Sequence, residues 1–134
     1  MENLKSLEIA INSELTSKII SSKINHNQIY ISIEDNDLTE VILFLKTNSS
    51  TKFRQLIDIT AVDYPERDRR FNMIYLLLSH ETNSRIVINY DIKEGEIVPS
   101  LTSIFPSANW MEREVFDMYG VEFKDHPDLR RILT

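Results

Sequence analysis

The sequence contains no cysteine, only two glycines, and 15 basic residues against 21 acidic ones. Without a thiolate there is no cysteine-ligated iron–sulfur cluster, no cysteine zinc finger, no catalytic thiol and no disulfide framework. The two glycines, Gly95 and Gly120, lie too far apart to form a phosphate-cradling loop. Such loops need closely spaced glycines so that backbone N–H groups approach the phosphates. A nucleotide or flavin held by such a loop is therefore not expected in this chain. The net charge of −6 argues against a general nucleic-acid binder, which would carry a basic face. The longest apolar runs, residues 41–45 and 73–78, fall far short of the ~20 residues that span a bilayer. Glu2, Lys5 and Glu8 interrupt the apolar positions of the N-terminus, so a secretory leader is not expected. The chain is expected to be soluble by itself and to meet a membrane only through partners. With 134 residues it is long enough for one domain with a real core.

The apolar residues that are present change their period along the chain. Leu4, Leu7, Ile11, Leu15 and Ile19 recur every three or four positions and predict a first helix. Asn25-His26-Asn27-Gln28 is a polar break. Ile29, Ile31 and Ile33 alternate with polar residues as in a half-buried strand, and residues 19–24 offer a hairpin partner. Asp37 and Glu40 have the spacing of a capping box before Leu38, Val41, Ile42 and Leu45, which predicts a second helix. From Leu56 the period falls to two, and residues 56–62, 71–79 and 85–90 predict three successive strands. The middle strand is apolar on both faces and is expected to be central, with Leu76 inside. Residues 64–70 form a charged loop, and 91–96 a turn around Gly95. Pro99-Ser100-Leu101-Thr102 and Pro106-Ser107-Ala108-Asn109 each resemble an entry to a short helix. Asn109 as cap and Glu112 at the third helical position would begin the last helix, with Gly120 as its left-handed C-cap. On that helix Met111, Val115, Met118 and Tyr119 are expected to share the buried face, and Arg113 to pair with Asp117 at i, i+4. The sum is a two-layer α+β domain over residues 1–134, helices packed on a mixed sheet of about five strands.

The C-terminal stretch from Trp110 onward mixes large apolar side chains with an unusual density of charge. Unpaired charges are not tolerated in a core, and a solvated helix does not need so much apolar surface. The acids Glu112, Glu114, Asp117, Asp125 and Asp128, with His126, would suit a hard metal ion by type. Glu112 and Glu114, however, project about 200° apart on a helix, so one ion cannot take both. No nucleophile, base and orienting group can be picked out that would make His126 catalytic. Two other uses remain open: pairing within the domain, or docking by a partner. Leu129, Arg130, Arg131, Ile132 and Leu133 have the composition of an interface edge, where arginine is enriched. His26 and His80 lie in expected turns. Trp110 suits either a core or an interface anchor.

The triplet Glu112-Arg113-Glu114, followed by Asp117, Met118-Tyr119, His126, Arg130 and Ile132-Leu133, resembles the signature of the thirty-kilodalton subunit of respiratory complex I. Complex I is the proton-translocating NADH:quinone oxidoreductase. The likeness continues upstream through residues 56–65, 71–79 and 99–102. What the resemblance implies is a non-cofactor subunit of the peripheral arm, with no catalytic, metal or cofactor residue of its own. Flavin and iron–sulfur clusters would reside in partner subunits. The expected partners are other hydrophilic-arm subunits, especially those forming the quinone site and holding the terminal cluster. The expected location is peripheral, on the cytoplasmic face of a bacterial inner membrane or the matrix side in mitochondria. Segment 106–134 is expected to dock those partners through Trp110, Glu112, Arg113, Glu114, Asp117, His126, Arg130 and Arg131. The family's further C-terminal tail is expected to be absent here. Alternatives from other classes are a small carboxylate-dependent metal hydrolase, a free-standing interaction module and the equivalent subunit of a membrane-bound hydrogenase.

Overall fold

The computed structural model describes residues 2–48, 51–124 and 126. Helix α1 (Glu2–Glu14) opens the chain, followed by strands β1 (Ile19–Asn25) and β2 (Gln28–Ile33). A 3-10 turn (Asp35–Asp37) leads into helix α2 (Leu38–Thr47). Strands β3 (Gln55–Asp63), β4 (Phe71–Ser79) and β5 (Ser84–Ile92) come next. Short strand β6 (Ile97–Pro99), helix α3 (Ala108–Tyr119) and short strand β7 (Glu122–Lys124) complete the described residues. The five long strands form one mixed sheet in the order β1-β2-β5-β4-β3, in which only β2 and β5 run parallel. β6 and β7 make a separate two-stranded parallel ladder.

The alternation in β2 and β4 shows why helices cover a single face. Ile29, Ile31 and Ile33 are buried and alternate with half-buried Gln28, Tyr30 and Ser32. β4 repeats this, with Phe71, Met73, Tyr75, Leu77 and Ser79 buried. Those side chains meet Leu4, Leu7 and Ile11 of α1, and Leu38, Val41, Ile42 and Leu45 of α2, in one continuous core. At ~25 cal/mol per Å² of buried apolar surface, this cluster is the main favourable term in folding. α1 packs on β1 and β2 at one edge of the sheet, and α3 on β3 at the other.

Five expectations need correction. Ile19 belongs to β1, because α1 stops at Glu14 and Leu15 closes the core just beyond it. β4 lies one place off centre and β5 takes the middle. Leu76, with Asn72, Ile74 and Leu78, lies on the outer face and is only half-buried. Its neighbours there are strands, with no described helix stacked above. Asp37 does sit at the N-cap of α2, but its side chain makes no capping bond, because the preceding 3-10 turn holds it in a helical conformation (φ −97°, ψ −1°). Pro99 ends a strand, and residues 101–105 make a single turn in which Ile104 and Phe105 N–H both bond to the Leu101 carbonyl.

The polar break is a tight hairpin. Asn25 pairs with Gln28, leaving His26 and Asn27 as a two-residue loop at φ 51° and 61°. Two successive positive φ values make the type I′ turn whose twist matches that of the flanking strands.

Candidate functional site: the last helix and its anchorage

α3 is amphipathic in an uncommon way, because its buried face carries an acid. Ala108, Met111, Glu112 and Val115 are buried, while Trp110, Arg113, Glu114, Asp117 and Met118 are exposed. At 100° per residue the exposed set spans an arc of about 140° on the side away from the sheet. The helix begins at Ala108, earlier than the Asn109 cap expected from the sequence, with Ser107 in the cap position and no side-chain cap bond. It ends at Gly120, whose φ of 73° and ψ of 14° are left-handed and whose N–H bonds to the Phe116 carbonyl at 2.8 Å. That C-cap matches the expectation for a glycine.

Glu112 is fully buried, and its carboxylate accepts the Leu101 N–H and the Ser100 hydroxyl, each at 2.7 Å. It thus ties α3 to the turn that precedes it, in place of capping its own helix. His126 is also fully buried. Its Nε2 lies 2.7 Å from the Asn109 carbonyl oxygen and 3.8 Å from Glu112 Oε1. A carbonyl can only accept, so Nε2 carries the proton and donates. Glu112 and His126, both expected at a docking surface, are buried within this chain, where they hold the helix in place.

Burial drives the Glu112 carboxyl above its ordinary pKa, against the Leu101 N–H, the Ser100 hydroxyl and the His126 ring, which pull it down. Nearby, the Tyr75 and Tyr90 hydroxyls bond to each other at 2.9 Å beneath stacked rings. Burial raises both phenols, and the Glu112 charge raises them further. At the other end of α3, Tyr119 meets Phe71 edge-on at 6.1 Å. Lys46 of α2 donates to the Ile104 carbonyl at 2.6 Å, fastening the turn from the far side.

The exposed face has no such fastening. Among the described residues no ion pair joins Arg113 to Asp117, and neither they nor Glu114 make a side-chain hydrogen bond. Asp117 also sits in the last turn, where no base accompanies it. An anion at the negative end of a helix is unfavourable, because the macrodipole presents it with partial charge of its own sign. Met118, expected inside, is 70% exposed, and Trp110 is 56% exposed. Helical spacing gives no signal for this exposure, since Met118 lies about 80° round the axis from Trp110 and only about 20° from buried Met111. Arg130 and Arg131 lie outside the described residues, as do Asp125 and Asp128.

No group of three or more histidines and carboxylates capable of holding a metal ion occurs among the described residues. A concavity lies on the outer face of the sheet, lined by Lys23, Tyr30, Ser32, Asn72, Ile74 and Asn89 among others. Its polar side chains already have partners: Ser32 donates to Asn89 at 3.0 Å, Asn72 to Asp91 at 2.9 Å, and Tyr30 to Gln28 at 3.1 Å. No described helix is long and apolar enough to cross a membrane.

Comparison with known proteins places this arrangement. A solved structure described as the trypsin-resistant fragment (1-134) of Nqo5 superposes with a TM-score of 0.77 at 25% identity, over 94% of this chain and 98% of that one. An archaeal membrane-bound sulfane sulfur reductase shares the fold, at a TM-score of 0.81 and 20% identity over 92% of this chain and 72% of that one. A relative from Dinoroseobacter shibae, named as a subunit of NADH-quinone oxidoreductase, is 49% identical over 98% of this chain and 61% of its own length. A relative of the same name from Ruegeria pomeroyi is 48% identical over 87% of this chain and 58% of its own length. The chain thus spans about three fifths of these relatives. The family model for the respiratory-chain NADH dehydrogenase 30 kDa subunit matches residues 31–134, taking in the sheet from β2 onward, the Glu112 anchorage and the exposed helix, and the chain belongs to that family.

Proposed function

We propose that this chain is the structural domain of a peripheral-arm subunit of the proton-translocating NADH:quinone oxidoreductase. It supplies contacts and geometry, and the redox chemistry proceeds in its partners. The observation that carries this reading is the family match over residues 31–134, together with relatives at 48–49% identity that are named as subunits of NADH-quinone oxidoreductase. The absence of cysteine from the sequence supports it, because an iron–sulfur relay needs thiolates that this chain does not have. Flavin and clusters then belong to neighbouring subunits, among them those that form the quinone site and hold the terminal cluster. The chain sits peripherally on the cytoplasmic face of the bacterial inner membrane, held there by those neighbours. Trp110, Arg113, Glu114 and Asp117 are accessible for docking; Arg130 and Arg131 are proposed to join them from sequence alone.

The test is removal and recovery in the bacterium that makes the protein. Deleting the coding segment should abolish assembled NADH:quinone oxidoreductase on native gels, and restoring it should return both assembly and NADH-driven quinone reduction. A tagged chain should bring that activity out of detergent-solubilised membranes. Full assembly and activity without the chain would overturn the reading. Retrieval of hydrogen- or sulfur-reducing activity without NADH oxidation would assign the chain to a related membrane complex instead.

A further inference from the structure

We infer that the exposed face of α3 seats a protein surface that is apolar at its centre and basic opposite Glu114 and Asp117. This inference rests on the subunit reading above and adds the chemistry of the partner.

Trp110 and Met118 stand 56% and 70% exposed within the same arc of the helix, about 80° apart around its axis and about 12 Å along it at 1.5 Å per residue. Tryptophan and methionine are enriched in interface cores, and tryptophan is a frequent anchor of binding energy. Between and beside them lie Arg113, Glu114 and Asp117, all exposed, with no hydrogen bond or ion pair among the described residues. Asp117 breaks a local rule, being an acid at the negative end of a helix whose last turn has no base. Uncompensated violations of this kind mark places selected for something other than the stability of the fold. A cation supplied from outside compensates it.

The chemistry narrows the occupant. The face carries two acids to one base on a chain of net charge −6, so a basic surface complements it, with one acid to meet Arg113. Nucleic acid and anionic lipid are repelled by the same two carboxylates. A second copy is disfavoured too, because an isologous contact sets each acidic stripe against itself. The buried side of the helix is fixed by Glu112 and His126, so the exposed side is presented in one orientation before binding.

The experiment compares assembly with stability in the full-length subunit expressed from its own genome. Glu114→Lys with Asp117→Lys should lower assembled oxidoreductase on native gels by at least about tenfold, since like charges then face each other across the contact. Trp110→Ala with Met118→Ala should also reduce assembly. Glu14→Lys, on α1 at the opposite edge of the sheet, should leave it unchanged. In thermal melts of the purified chain, Asp117→Asn should raise or preserve the melting temperature while weakening assembly. Opposite signs in the two measurements separate docking from folding. Normal assembly of the Glu114/Asp117 reversal overturns the basic partner, while the subunit reading survives if deleting the chain still abolishes the enzyme. Equal loss of melting temperature and assembly assigns the acids to the fold and overturns the inference as well. Should the reversal fail to fold, Glu114→Gln with Asp117→Asn removes the charges without adding new ones, and its assembly decides the matter.

Discussion

Glu112 and Leu101 meet through a 2.7 Å hydrogen bond from the Leu101 N–H to the carboxylate, wholly out of solvent. This contact, with the Ser100 hydroxyl on the other oxygen, makes one acid of α3 the anchor of the turn before it. Glu112→Ala leaves that N–H without a partner and opens a cavity. A cost of about 1–3 kcal/mol is expected from the orphaned donor alone. Urea unfolding of the purified chain measures it, and a loss within error would mean that water or a shifted turn replaces the carboxylate.

The same group sets a pH dependence. Burial raises the Glu112 carboxyl above its ordinary 4.5, so the folded chain holds that proton more tightly than the unfolded one. Its contribution to stability is then complete below pH 4.5 and declines as pH rises through the folded-state value. Glu112→Gln is neutral throughout. The stability of wild type relative to Glu112→Gln should therefore fall as pH increases above 4.5, read from paired denaturation curves. A difference that stays flat from acid to neutral pH rules out a burial-raised carboxyl.

Asp63 has the opposite sign. Its bidentate pair with Arg70, at 2.6 and 2.9 Å, lowers the carboxyl from 3.8 chiefly through the hydrogen bond to the guanidinium. That stabilisation is present above pH 3.8 and is lost as pH falls through the folded value. Asp63→Asn should reduce stability near neutrality and flatten the acid limb of the melting curve. An acid limb unchanged by the substitution would show that solvent screening has removed the effect at this partly exposed pair.

Neighbouring leucines on β4 should respond differently. Leu77 is fully buried, and Leu77→Ala is expected to cost about 2–5 kcal/mol. Leu76 lies on the half-buried outer face, and Leu76→Ala should cost less than about 1.5 kcal/mol in the isolated chain. Equal losses would place a covering element on the outer face of the sheet.

Gly120→Ala isolates backbone conformation from packing. A Cβ at this position meets nothing within 4 Å, yet φ is +73°. The expected cost is about 1–2 kcal/mol, all of it from the left-handed conformation. A neutral substitution would mean that the end of α3 relaxes into a different cap.

The long elements are legible in the sequence because period alone identifies them. The boundaries of β4 match the expected strand, and the apolar positions that predict α2 all fall within the observed helix. β6 and β7 are not legible, since three residues cannot display a period. Glu112 misleads for a different reason. Ranked by residue type, a carboxylate next to an arginine belongs at the surface, and only the three-dimensional approach of Ser100 and Leu101 makes burial tolerable. Leu76 shows the limit of inferring position from composition. Three aliphatics on the outer face of β4 suggest a central strand, whereas no described helix lies above that face. Met118 is misplaced although its angle around α3 is within about 20° of buried Met111, because its place in the last turn of the helix carries it past the edge of the sheet side.

The parallel pairing of β2 with β5 has a consequence for how the domain comes apart. It is the one seam in the large sheet that no hairpin closes: β1 to β2 and β3 through β5 are each joined to their sheet neighbours by short connections. Ser32 and Asn89, bonded across the seam, are 57 positions apart in the chain. The segment 55–92 can assemble locally as a meander, while α1, β1 and β2 must be recruited to it over a long loop. Cooperativity between the two halves therefore depends on a line of main-chain bonds and on the core they share. Under mild denaturation, amide hydrogens of residues 28–33 should exchange as a group ahead of those in β4. The N-terminal quarter would then behave as a detachable unit that can loosen while the sheet bearing α3 stays whole.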